Sequence, residues 1–258
     1  MKTCILAMMI TATSLGAFGQ SQDNSCFEPG RQTNICLKMK HLFGDVQLLG
    51  AQRELANSDY GMFELVAADL ENVLIQLSRQ MHSLDHAEKI ADVLDTARTL
   101  RQQAATTNYR TFQTANQINA KCRSCHDGVT PEPSYDVIFQ KDWASIAQAC
   151  NQTDKNPYVC RKMHYLATGL NYFSAASMSD LADFRLAKKV AVEMQQTATS
   201  LINLGEEEFH TGGKEAFAQL LLLTREIEQA AEQGDSEIYQ KAMGIRSVCS
   251  KCHSGAGE

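Results

Sequence analysis

The chain has 258 residues, 44% of them hydrophobic, with 4 prolines and a formal net charge of −6. That length suits one large domain or two of ordinary size, and the apolar content is enough to build cores. The acidic balance, with no basic patch, argues against a nucleic-acid partner and against an electrostatic hold on anionic membranes.

The opening stretch MKTCILAMMITATSLGAFGQ has a basic start at Lys2, an apolar run from Cys4 to Ile10 and small residues at Ala17 and Gly19. This is the pattern of a cleaved secretory signal over residues 1–19. The run is too short to span a bilayer, and the later FAQLLLLTREIEQ is short and flanked by charge, so no membrane insertion is expected. An exported, periplasmic protein follows. Cys4 leaves with the signal, and the eight remaining cysteines enter an oxidising compartment in which leftover thiols pair.

Cys26 and Cys36 come next, with the spacing of a local disulfide. Cys36, Met39, Leu42, Phe43, Val46 and Leu49 then recur at steps of three and four, which predicts a helix. Further helices are expected over 60–81, 85–105 and 109–126, the last ending in AKCRSCHDG. Pro131 and Pro133 break helix and mark a linker over 129–148 between a first unit, 20–128, and a second, 149–258. The second unit opens on Cys150 and Cys160, again spaced for a local disulfide. Asn156-Pro157 supplies a helix cap with proline at the first helical position. Cys160, Met163, Leu166, Leu170 and Phe173 make the next apolar stripe. Helices over 180–203, 214–232 and 235–253 follow, and VCSKCHSG stands near the end. No alternating strand pattern occurs.

The two units are one sequence written twice. CFEPGRQTNICLKM and CNQTDKNPYVCRKM share their cysteine spacing and the Lys-Met that follows, 124 residues apart. Phe112, Gln113, Ala115 and Ile118 precede the first Cys-x-x-Cys-His as Tyr239, Gln240, Ala242 and Ile245 precede the second, 127 residues on. The expected fold is all-α, with two tandem up-down-up-down four-helix bundles.

Cys-x-x-Cys-His is the attachment signature of c-type haem. Two thiols at this spacing add across the porphyrin's two vinyl groups, and the adjacent His lies under the iron. Two haem c groups are therefore expected, one on Cys122 and Cys125 with His126 as proximal ligand, the other on Cys249 and Cys252 with His253. A redox disulfide lacks its βαβ context, and a shared four-cysteine zinc site would require two separate units to converge. Four helices with this motif on the last resemble cytochrome c prime and its Met-ligated relatives, here as a tandem fusion.

In such a bundle the last helix ends where the first begins and where the second turns into the third. Met39 and Met163, at equivalent places on the first stripe of each unit, are the expected distal ligands, a role the resemblance also implies. His86 and His210, at the second turn of each unit, are the alternative. His41 and His164 are not equivalent and are expected at the surface. The function expected is electron transfer between redox protein partners, a donor and an acceptor, not catalysis. A gas-binding protein with an open distal site and a di-haem peroxidase are the alternatives.

Overall fold

The computed structural model describes residues 33–54, 59–80, 84–126, 143–152, 156–177, 179, 181, 183–204 and 213–254. The expected signal, Cys26, Pro131, Pro133 and His210 lie outside the described residues. Every regular element described is a helix: α1 Thr33–Glu54, α2 Tyr60–Ser78, α3 Leu84–Ala105, α4 Thr111–His126, α5 Trp143–Asn151, α6 Pro157–Ala176, α7 Phe184–Ile202, α8 Gly213–Gln233 and α9 Ile238–Ser254. Among the described residues no helix is long and apolar enough to cross a membrane.

Local chemistry sets the helix ends. Asp59 accepts from the Gly61 amide, Asp183 from those of Arg185 and Leu186, and Asn156 from that of Tyr158 ahead of Pro157. Gly234, at φ +65°, closes α8: the Asp235 amide returns to the Ala230 carbonyl and that of Gly234 to Ala231. The end of the expected linker is itself helical. Apolar residues at 143, 146, 147 and 150 recur at steps of three and four, enough for the short α5, which packs on α6 and α1.

In the first half α1 packs on α2 and α4, α2 on α3, and α3 on α4. The second half repeats these adjacencies, with α6 on α7 and α9, α7 on α8, and α8 on α9. Phe63, Leu70, Leu77, Leu100 and Ile118 are fully buried in one half, Phe173, Leu186, Met194, Ile227 and Ile245 in the other.

The halves join through their first helices. Gly44 of α1 faces Tyr172 of α6, Gln47 bonds Asn171 at 3.1 Å, and Gln52 bonds Tyr165 at 2.7 Å, so α1 and α6 run antiparallel. A Cβ at Gly44 would lie 3.3 Å from the Tyr172 Cα, and this glycine permits the close crossing. α1 is consequently covered on two sides. Leu42, Val46 and Leu49 enter its own half's core, while His41, Asp45, Leu48 and Gln52 form a second buried stripe. Lys189 to Asp59, at 2.5 Å, adds an ion pair between the halves.

Candidate functional site

The two Cys-x-x-Cys-His motifs occupy the C-terminal turns of α4 and α9. Cys122 and Cys249, the first cysteine of each, are half-buried and pack against the apolar core. Their upstream neighbours are placed alike: Ala115 and Ile118 are buried, as are Ala242 and Ile245, and Gln113 and Gln240 face solvent. Phe112 stacks edge-on against Phe63 at 5.4 Å, and Lys121 pairs with Asp92 of α3 at 2.5 Å, which fixes α4 on its neighbours. The backbones of Cys125, His126, Cys252 and His253 are helical; their side chains lie outside the described residues.

Met39 and Met163 are both half-buried and packed on the core, each on a helix in contact with the helix that carries its motif. His86 is exposed in the first turn of α3. Cys150 and Cys160 are joined by a disulfide, with Cα atoms 5.5 Å apart, that ties α5 to the start of α6. Cys36 is also disulfide-bonded, and its expected partner Cys26 is outside the described residues. Because α1 and α6 are antiparallel, the motif ends of the two halves point in opposite directions. With Gln52 beside Tyr165, Met39 and Met163 lie about 15 residues apart along the pair, or ~22 Å at 1.5 Å per residue.

His41 is not at the surface. It is fully buried, because α6 covers the side of α1 that a lone bundle would leave wet. Its Nε2 lies 2.8 Å from the Asp69 carboxylate of α2 and its Nδ1 2.5 Å from the Ser179 hydroxyl in the second half. Asp45, one turn along α1, is also fully buried. Burial, then the neighbouring carboxylates of Asp69 and Asp183, hold its pKa well above the usual range. Tyr172 is buried beside His41, ring centroids 6.1 Å apart, and burial with the charge of Asp69 raises its pKa.

The second half builds a counterpart at the repeat offset of 124. Tyr165 stands for His41 and Glu193 for Asp69, and the two are hydrogen-bonded, with Gln52 of the first half joining them. Desolvation lifts Glu193 to about 7, reinforced by Asp59 and opposed by Gln52 and Lys162. Glu193 borders a cleft of ≈ 790 Å³ between the halves, lined also by Asp59, Tyr60, Thr107, Tyr158 and Lys162. Sequence reasoning passed over both clusters. The one available signal was the spacing 41, 45, 48, 52, a second helical stripe beside the apolar one.

Comparison with protein-family models, with curated proteins and with solved structures returns no match.

Proposed function

We propose that the protein is an exported di-haem c-type cytochrome, built as two tandem up-down-up-down four-helix bundles, that carries electrons between a redox donor and an acceptor. The observation that carries this reading is the repeated Cys-x-x-Cys-His at the ends of α4 and α9, each with its first cysteine half-buried against a core. The two matching sets of helix adjacencies support the paired bundles.

Two thiols and an adjacent imidazole in each motif are the donor set that covalent haem requires. Cys122 and Cys125 would hold one haem and Cys249 and Cys252 the other, with His126 and His253 beneath the irons. Bound there, each haem would supply a one-electron iron couple. Met39 and Met163 sit on helices touching the motif helices, and their thioethers would be further ligands to the irons, raising the potential relative to bis-His ligation. Were Met39 and Met163 to ligate the irons together with His126 and His253, a gas or a peroxide would have to displace a ligand, which suits electron transfer. The exposed setting of His86 makes it the weaker candidate. The disulfide at the start of α6 anchors the segment that carries Met163.

The test is spectroscopic. The oxidised protein should be low-spin at both sites, with the near-infrared sulfur-to-iron charge-transfer band, and the reduced protein should take up CO slowly. A high-spin spectrum with rapid CO uptake would favour gas binding and return both methionines to the core.

A further inference from the structure

Among the described residues two clusters bring three metal-type side chains within reach of one another. Cys150, Cys160 and His164 form the first, but its sulfurs are consumed in a disulfide. The second is His41, Asp45 and Asp69, whose donor atoms all lie within 4.8 Å of one another and whose side chains are all buried.

From this second cluster we infer a divalent transition-metal site at His41, Asp45 and Asp69, separate from the haem-attachment motifs. Asp45 and Asp69 bury two carboxyl groups side by side, which would hold two uncompensated negative charges if both were ionised. Yet both oxygens of Asp45 and Oδ1 of Asp69 have no hydrogen-bond partner, and neither does the buried Tyr172 hydroxyl that approaches from α6. A divalent ion with a neutral imidazole balances the charge and supplies the missing partner of each carboxylate.

The geometry suits an ion of this class. His41 Nε2 and Asp69 Oδ2, 2.8 Å apart, are already near the spacing of two ligands on one metal. Tetrahedral ligands at ~2.1 Å from an ion sit ~3.4 Å apart, so from a separation within 4.8 Å Asp45 needs an inward adjustment of ~1.4 Å at most. The Ser179 hydroxyl can donate to the Ala176 carbonyl at 3.3 Å, which frees its oxygen to accept from His41 Nδ1. That tautomer leaves Nε2 bare for a metal, the outer-shell arrangement that orients ligating histidines. One imidazole with two carboxylates suits zinc or manganese better than calcium, which takes oxygen ligands alone. The ligands come from α1 and α2 while Ser179 and Tyr172 come from the second half, so the ion would sit at the join. The second half offers Tyr165, Gly169 and Glu193 at the equivalent positions, which is no ligand set. Among the described residues the site is therefore single, with one ion expected at it.

The full mature chain, produced in zinc- and manganese-supplemented medium and also refolded from guanidinium with each metal, is measured by elemental mass spectrometry and titration calorimetry. Zinc and manganese are read separately from iron, so the result does not depend on haem content. About one equivalent is expected, slow to leave in EDTA because the site is buried. Asp45→Asn, close in shape, should lower affinity by more than the ~10–100-fold typical of losing an outer-shell partner. His41→Gln serves the same purpose if that variant fails to fold, and Glu193→Gln should leave metal content unchanged. Failure to retain either metal in the parent protein, or equal retention in a folded Asp45→Asn variant, would overturn the inference.

Discussion

Glu193 is a half-buried carboxyl at the join between the halves, and Glu193→Gln removes its charge while keeping its shape. Gln52 and Tyr165 both donate to it, and the amide oxygen of the variant can accept the same bonds. Burial raises the carboxyl from an ordinary 4.5 to about 7, so the folded chain holds this proton more tightly than the unfolded one. Stability from this group is fully present below pH 4.5 and is lost as pH rises through about 7. At about 1.4 kcal/mol per pH unit the full loss is about 3 kcal/mol, an upper figure because solvent reaches part of the group. Urea unfolding of parent and variant at pH 5 and pH 8 checks this. Glu193→Gln should gain about 2–3 kcal/mol on the parent between the two pH values, chiefly because the parent weakens. A stability difference independent of pH would refute the reasoning.

The remaining predictions concern the disulfide and the methionines. Replacing Cys150 and Cys160 together by serine opens a loop with a sequence separation of 10. The chain-entropy model puts the loss at about 3 kcal/mol, or roughly 6–12 °C in Tm for a chain of this size, and a scan within a degree of the parent would contradict it. Met39→Ala should open one haem to CO and Met163→Ala the other, each half of the total uptake. Uptake unaltered in both variants would exclude the pair as ligands.

Much of the fold is legible in the sequence because each half follows one apolar stripe per helix. The stripe of Leu42, Val46 and Leu49 marks α1 and is buried as its periodicity requires. The caps at Asn156 and Pro157 were equally readable. The join between the halves was not. A single-bundle template assigns the opposite side of α1 to water, so His41 reads as a surface residue; only the docking of α6 buries it. Duplication also hides divergence: where the first half places Asp45, the second has Gly169, and Met194 fills that space, its Sδ 2.6 Å from where a Cβ would stand. Helix α5 is hard to read because the prolines upstream mark a linker and a helix of 9 residues gives a weak periodic signal. The Cys-x-x-Cys-His pattern, by contrast, is carried by local spacing alone and needs no tertiary information to be read.

Denaturing mass spectrometry of the mature protein, made with the cytochrome maturation machinery, tests the central claim most directly. The account predicts a mass raised by two haem groups, with peptides containing Cys122 and Cys125, and Cys249 and Cys252, each bearing one. A mass equal to that of the polypeptide alone, or haem on one motif only, would contradict it.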